Sequence, residues 1–240
     1  MEMLVNILFI DAVYGIKPNK LFSGLLQLIN DKDLIIEEMR KTGLFFSLIK
    51  NNEQGFVGYS IETSDTKGST SLKHIMHIFK RSSIKKKIAN KLVKVYTEIG
   101  KAESIIHKTS FSNVHLHEIG SPAAILYAVG IFACLDKINA SKIFRSKVGI
   151  GCGKIKCSHG ILDVPAPCTK ILTRDMKKCS LNIKGELTTP LGAAIISLIS
   201  EPLIKNDLKN LIIYKIGLGW SDTPKSVIKI PLILCEGRYV

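Results

Sequence analysis

One short segment, residues 114–120, combines side chains that often bind transition metals in proteins. Its sequence is V-H-L-H-E-I-G, which places His115, His117 and Glu118 close together. If residues 114–117 are extended, both imidazoles project from one face of the strand, because side chains alternate along it. Two imidazoles at this spacing can bind one ion, and nickel and zinc are both suitable. The alternative is that one histidine faces solvent while the other bonds to a backbone carbonyl.

The residues that follow this segment predict a corner between a strand and a helix. Gly120 ends the strand, Ser121 is a favourable N-cap, and Pro122 suits the first position of a helix. Residues 122–135 are almost wholly apolar. We therefore expect the histidines to lie at the rim of a buried helix.

A second, glycine-rich segment has the features of an anion site. Residues 149–160 read G-I-G-C-G-K-I-K-C-S-H-G. Gly151 and Gly153 allow a ligand to approach backbone N–H groups, and Lys154 and Lys156 share one face of an extended chain and add positive charge. The spacing matches neither the P-loop nor the dinucleotide-binding glycine turn. The segment predicts a phosphate contact of another kind.

The same segment contains Cys157 and His159, again two residues apart. A sulfur and an imidazole at this spacing can reach the same metal ion. The alternative is that Cys157 is only a small buried residue, which is the usual state of a free cysteine.

A third segment, residues 185–194, predicts a helix start with polar groups beside it. Thr189 is a suitable N-cap, Pro190 suits the first helical position, and Glu186 lies just upstream. The free N–H groups at such a start bind anions well. The alternative is an ordinary helix start without a ligand.

The elements that must position these segments predict a mixed α/β fold. We expect a strand and helix layer with a long amphipathic helix in residues 1–140, then a strand-rich and loop-rich part in residues 141–240, together forming one compact unit. Apolar residues recur every three or four positions from Ile84 to Ile106, which is typical of a helix. Other helices are predicted from Pro18, at 34–41, from Pro122 and from Pro190, and strands at 5–10, 44–49, 56–62, 148–150, 155–157, 211–216 and 227–234.

Composition and charge limit the function classes. Lys and Arg number 34 against 20 Asp and Glu, a net charge of +14, and aromatic residues are only 7%. Nucleic-acid binding rests on that charge alone and is a remote alternative. The longest uncharged run, 119–135, is shorter than the roughly 20 apolar residues of a membrane-spanning helix. With no visible secretory signal and no C-x-x-C pair, we expect reduced cysteines and a cytoplasmic location.

Three motifs carry a resemblance to a known family. They are V-H-L-H-E-I-G at 114–120, G-x-G-x-x-K-C-x-H-G-I-L-x-V-P-A-P at 151–167 and G-E-L-x-T-P-x-G-A-A at 185–194. In this order they resemble the LarC family of nickel-insertion proteins. The resemblance implies a nickel chelatase that inserts nickel(II) into pyridinium-3,5-bisthiocarboxylic acid mononucleotide, forms a carbon–nickel bond and hydrolyses CTP with Mg or Mn.

For the metal and for each group of that substrate, the residue types in the motifs suggest a partner in this chain. The metal would be delivered by the two histidines of the first motif and stabilised by the cysteine and histidine of the second. Glu118 would take a ring proton or complete the coordination, and Lys154 would act with it in the reaction. The expected metal ligands are His115, His117, Cys157 and His159, and the expected substrate contacts are Gly151, Gly153, Lys156, Glu186 and Thr189.

The chain departs from the family pattern at acidic positions. Asn19, Ala123 and Tyr127 stand where the family usually has carboxylates, which weakens the case for binding a hard cation such as Mg²⁺. The CTP site of the family lies in a C-terminal domain that we do not find here, so a separate chain that resembles this domain is a candidate partner. The alternative function is a metal-binding or scaffold subunit that has lost catalysis. A homo-oligomer is compatible with the sequence.

Overall fold

The structure is a computed structural model that describes residues 6–53, 55–64, 70–158, 160–204, 211–220 and 231–239. These residues form seven α-helices and thirteen strands, so the predicted mixed α/β fold class is confirmed. In the part of the chain described, no helix is both long and apolar enough to cross a bilayer.

The helices begin at prolines or after polar caps in most cases. Pro18, Pro122, Pro167 and Pro190 each occupy the first turn of a helix, where the missing N–H has no cost. The helices are α1 (Pro18–Leu28), α2 (Asp33–Arg40), α3 (Leu72–Arg81), α4 (Lys86–His107), α5 (Pro122–Ile138), α6 (Pro167–Leu172) and α7 (Pro190–Ile199).

The strands are mostly short and form one larger sheet and four two-stranded ladders. They are β1 (Asn6–Asp11), β2 (Ser47–Glu53), β3 (Phe56–Glu62), β4 (Thr70–Ser71), β5 (His115–Leu116), β6 (Lys142–Arg145), β7 (Val148–Cys152), β8 (Lys154–Cys157), β9 (Gly160–Asp163), β10 (Lys178–Lys184), β11 (Glu201–Pro202), β12 (Leu211–Gly219) and β13 (Leu232–Tyr239).

The main sheet has the order β11-β6-β1-β13-β12. Strand β1 is its centre and pairs in parallel with β6 and antiparallel with β13. Leu8 lies opposite Ile143 on one side and Glu236 on the other. The sheet therefore joins the predicted parts 1–140 and 141–240 through their strands.

Helix α5 is the centre of the core. Eleven of its residues are buried, and it packs against α1, α2, α4 and α7. Helix α1 in turn packs on β12 and β13, where Gly217 allows close contact: a Cβ at this position would lie 2.1 Å from the carbonyl oxygen of Gly24. Most apolar residues of 122–135 are thus buried, as predicted, and the exceptions lie near the start of α5.

A hydrogen bond connects helix α4 to residues 118–121, which precede α5. The hydroxyl of Tyr96, which is fully buried, donates to the carbonyl of Ile119 at 3.2 Å. Ser121 caps α5, with its Oγ accepting from the N–H of Ala124 at 3.3 Å. The predicted cap and the predicted first helical residue, Pro122, are confirmed.

Several predicted boundaries were wrong. Strand β5 ends at Leu116, because the backbone turns at His117 (ψ −94), so the predicted alternation does not extend to His117. The predicted strand at 44–49 begins only at Ser47 and continues through the asparagines to Glu53, opposite Phe56. Of the predicted strand at 227–234, residues 227–230 lie outside the described ranges, and β13 begins at Leu232.

Candidate functional site

A cavity of about 860 Å³ lies where five helices meet the β8–β9 hairpin. Its walls include the first residues of α1, α5, α6 and α7, the end of α4, and residues 155–157 of the hairpin. Helix N-termini carry partial positive charge, and three of those that line the cavity belong to helices of ten residues or more. These helix N-termini therefore add positive potential to a cavity that is also lined by glutamates and lysines.

Glu118 connects the corner before α5 to the hairpin. Its Oε1 accepts from the N–H of Ser158 at 3.0 Å and its Oε2 accepts from the hydroxyl of Ser158 at 3.3 Å. Partial burial tends to raise the pKa of Glu118, but these hydrogen bonds and the charge of His117 outweigh it and hold the pKa below its usual range. Glu118 is therefore an anion at neutral pH.

Glu186 lies in the same cavity in a different environment. Burial raises its pKa to about 7, against the opposing effects of a hydrogen bond from Thr169 and the positive charge of Lys17. The Thr169 hydroxyl donates to Oε1 of Glu186 at 3.2 Å, and Thr169 itself is completely buried. Glu186 can therefore exchange a proton near neutral pH.

The end of α4 brings a third carboxylate to the cavity. Glu103 is almost fully buried, and its Oε2 lies 3.3 Å from Nε2 of His107, one turn further along the helix. The thiol of Cys168 also bonds to Glu103, and burial raises the pKa of this thiol, so it stays protonated. These three groups form a polar strip in an otherwise apolar wall.

Comparison with known proteins places these features in a family. The family described as nickel insertion protein matches residues 8–234. The chain belongs to the nickel insertion protein family. No solved structure matches it significantly.

Three curated relatives of this nickel insertion family member are each named pyridinium-3,5-bisthiocarboxylic acid mononucleotide nickel insertion protein. That of Staphylococcus saprophyticus is 30% identical over 216 residues, which cover 87% of this chain and 55% of the relative. That of Clostridium kluyveri is 30% identical, and the match covers 90% of this chain and 58% of the relative. That of Desulfitobacterium hafniense is 31% identical, and the match covers 79% of this chain and 48% of the relative. The chain thus spans about half the length of the relatives it matches.

The cavity brings together residues from all three motifs of this family member. Five of the predicted site residues line it: Glu118, Lys156, Cys157, Glu186 and Thr189. The Thr189 side chain caps α7 by accepting from the N–H of Gly192 at 3.4 Å, as predicted for a cap. In each of the three motifs, at least one residue that was predicted from the sequence therefore lines the cavity.

Other predicted residues lie away from the cavity lining. His115 is exposed on β5, and His117 is half-buried at the turn that follows. Lys154 is exposed and pairs with Asp163 across the hairpin at 2.8 Å. His159 lies outside the described residues, so the predicted metal set stays a prediction.

The two predicted glycines have local structural reasons. A Cβ at Gly151 would lie 2.1 Å from the carbonyl oxygen of Gly185, so the close approach here is by the chain's own backbone. Gly153 adopts φ +84 between β7 and β8. Their contact with substrate also stays a prediction.

The structure groups the three positions that lack the acidic residues of the family pattern. Asn19, Ala123 and Tyr127 all line the cavity. The hydroxyl of Tyr127 accepts from the N–H of Ile61 at 3.0 Å, so it also holds strand β3 against α5. In the described ranges, no three His, Cys, Asp or Glu side chains are grouped so that they could hold a metal ion.

Among the Lys, Glu, His and Cys residues of the lining, four were not identified as site residues from the sequence: Lys17, Glu103, His107 and Cys168. Glu103 and His107 carried a detectable signal, because residues four apart on a predicted helix share one face. Lys17 and Cys168 carried none, since they reach the cavity through contacts between distant parts of the chain.

Proposed function

We propose that this cavity binds pyridinium-3,5-bisthiocarboxylic acid mononucleotide and that nickel is inserted into the nucleotide there. The observation that carries the proposal is the convergence of all three family motifs on one cavity of about 860 Å³. Ligand sites in proteins typically measure about 300 to 1,000 Å³, so a mononucleotide fits. The names of the relatives supply the substrate.

The phosphate of the nucleotide would bind on the side where positive groups face the cavity. Lys17 and Lys156 are the lysines in the lining, and α1, α5 and α7 direct their N-termini to it. Burial lowers the pKa of Lys17, and an anion beside it would raise that pKa and stabilise the charged form. Lys154, which was the predicted partner of Lys156, is paired with Asp163 and would contribute little.

Nickel enters this scheme as a substrate. The two thiocarboxylates of the nucleotide are sulfur ligands, which suit a borderline ion such as nickel, and Cys157 lines the cavity beside them. His115 and His117 would collect the ion outside the cavity. His117 is close enough to Glu118, a cavity residue, for its charge to lower the pKa of that carboxyl.

The CTP-dependent step of the reaction is a separate part of the proposal. By resemblance, CTP with Mg or Mn is used by a C-terminal domain, and we propose that a separate chain of that kind supplies it. A non-catalytic metal-binding or scaffold subunit is the second candidate function. It is favoured by one observation: Asn19, Ala123 and Tyr127 bring no carboxylate to the cavity.

Binding of the nucleotide tests the site. Isothermal titration calorimetry with the metal-free nucleotide should show affinity about 10-fold weaker for Lys156→Ala than for the unmodified protein, because a charge-assisted hydrogen bond is lost. Lys154→Ala is the matched control on the same strand and should change affinity less than about 2-fold. Equal losses for both variants, or no binding by the unmodified protein, would contradict the proposed site.

Nickel insertion separates the two candidate functions. The assay follows formation of the nickel-containing nucleotide by mass spectrometry with CTP, a divalent cation and a C-terminal domain from a relative. Insertion that requires this chain supports the chelatase. Nucleotide and nickel binding without insertion under these conditions supports the scaffold subunit.

A further inference from the structure

We propose that Glu186 is the catalytic base of nickel insertion and takes the proton from the ring carbon to which nickel becomes bonded. This inference rests on the proposed function. It assigns to Glu186 the proton transfer that the sequence suggested for Glu118.

The chemistry of the substrate requires a base. Substituents at ring positions 3 and 5 flank carbon 4, so an ion held by both sulfurs lies against the carbon 4–hydrogen bond. When that bond breaks, its electron pair forms the carbon–nickel bond and the proton passes to a carboxylate oxygen. Nickel enters and remains as nickel(II), so the step needs no oxidant or reductant.

The backbone around Glu186 is held firmly. The neighbouring Thr188 is buried, and its Oγ1 accepts from the N–H of Ile16 at 3.1 Å and donates to the carbonyl of Gly149 at 2.8 Å. Two residues further on, α7 begins. Glu186 is thus presented to the cavity by a segment tied to two other parts of the chain.

The carboxylate itself is oriented with one oxygen held by the protein. Oε1 accepts from the buried hydroxyl of Thr169. Among the residues that the structure describes, Oε2 has no hydrogen-bond partner. This arrangement leaves an acceptor oxygen for a proton from a ligand, which is the first geometric requirement for a general base.

The charges that face Glu186 come from every element around it. Burial is the largest influence on its pKa, Lys17 lowers the pKa and Glu118 raises it, with a result of about 7. The protonated thiol of Cys168 is a further neighbour in α6. The other titratable groups of the lining are Glu103 and His107 from α4, Tyr127 from α5, and Lys156 and Cys157 from β8.

The contrast with Glu118 decides between the two carboxylates. Both oxygens of Glu118 already accept hydrogen bonds from Ser158, and its pKa is held below the usual range. A carboxylate that is stabilised as an anion is a weak base. Glu186 is the stronger base, and at neutral pH a large fraction of it is ionised and ready to accept a proton.

The test compares Glu186→Gln with Glu201→Gln, a matched control at an exposed position on β11. We expect Glu186→Gln to lower the single-turnover rate of nickel insertion, with CTP and the C-terminal domain present, by about 100-fold or more. Its dissociation constant for the nucleotide should change less than about 3-fold, and Glu201→Gln should match the unmodified protein. The rate of the unmodified protein should fall as pH decreases through about 7.

A second measurement does not depend on turnover. Infrared difference spectra of the nucleotide complex should contain a carboxylic-acid band that titrates near neutral pH and is missing in Glu186→Gln. Absence of that band, or an unchanged insertion rate in Glu186→Gln, would overturn the assignment of Glu186 as the base. If the protein still bound the nucleotide, the proposed function would not be affected. Failure of the unmodified protein to bind the nucleotide would remove the proposed function itself.

Discussion

The cavity has two walls of opposite character. The helical wall consists of α4, α6 and the segment that leads into α7, and the hairpin wall consists of β8, β9 and the corner at Glu118. In the helical wall, burial raises the pKa of Glu186 to about 7. Burial also raises the pKa of the Cys168 thiol. At the hairpin wall, hydrogen bonds lower the pKa of Glu118.

This difference shows that position decides what a carboxylate does. Glu186 and Glu118 have the same side chain and line the same cavity. One is surrounded by packed helices, and the other accepts bonds from an exposed strand end. Two carboxylates with pKa values shifted in opposite directions are suited to different roles in one reaction.

Glycine substitutions should reveal the difference in packing most strongly. A Cβ at Gly192, in helix α7 next to the helical wall, would lie 2.2 Å from the carbonyl oxygen of Ile16, so Gly192→Ala must displace α7. We expect it to lower the free energy of unfolding by about 3 kcal/mol in urea titrations. Gly160→Ala in the hairpin wall meets no atom within 4 Å and should cost only about 1 kcal/mol, from its φ of +94. Similar losses for both would contradict the contrast between the walls.

The second largest effect should be the pH dependence of stability, which should differ between Glu186 and Glu118. The folded state holds the Glu186 proton more tightly than the unfolded chain, so this stabilisation is complete below about pH 4.5 and is lost as pH rises through about 7. Glu186→Gln keeps a neutral side chain at every pH. We expect it to be more stable than the unmodified protein by about 2 kcal/mol at pH 8 and equal to it at pH 4, measured by thermal or urea unfolding. A difference that is independent of pH would exclude a raised pKa.

At the hairpin wall, Glu118 should give stability the opposite pH dependence, and the change in the free energy of unfolding should be smaller. The lowered pKa of Glu118 gives stability that is present above its unfolded pKa and is lost as pH falls. Glu118→Gln should cost about 1 kcal/mol or less at pH 7, because the carboxylate is largely exposed, and should speed hydrogen exchange at the Ser158 amide. Lys154→Ala, which removes only an exposed ion pair, should cost about 0.5 kcal/mol at most and leave that exchange rate unchanged. An equal effect of the two variants on exchange would contradict the role of Glu118.

The sequence predicted the elements whose patterns are local. Helices α4, α5 and α7 follow from their periodicity, from proline at the start and from the caps Ser121 and Thr189. Strands β6 and β11 were not predicted, because they have four residues or fewer with too little alternation to be recognised, and they exist through pairing with distant strands. Local sequence patterns therefore predict the helices better than the strand pairing in the main sheet.

The site was predictable only in part, for a related reason. Motif residues such as Glu118, Lys156 and Glu186 were identified, because their neighbours in sequence already indicate turns and helix starts. The pKa of Glu186 depends on burial and on Thr169, which is distant in sequence and reaches it through the packing of α6. No local pattern contains that information.

The position of β1 in the sheet has a consequence for synthesis of the protein. Both of its partners, β6 and β13, lie far along the chain, so the central strand leaves the ribosome long before either can pair with it. Until then its N–H and C=O groups and its apolar Leu8 and Ile10 are open to other chains. Helix α1 can shelter the nascent strand early, but one side of β1 stays unpaired until β6 has been translated and the other until β13 has been translated. Slow translation should therefore favour aggregation, and chaperones that shield extended segments should raise the yield.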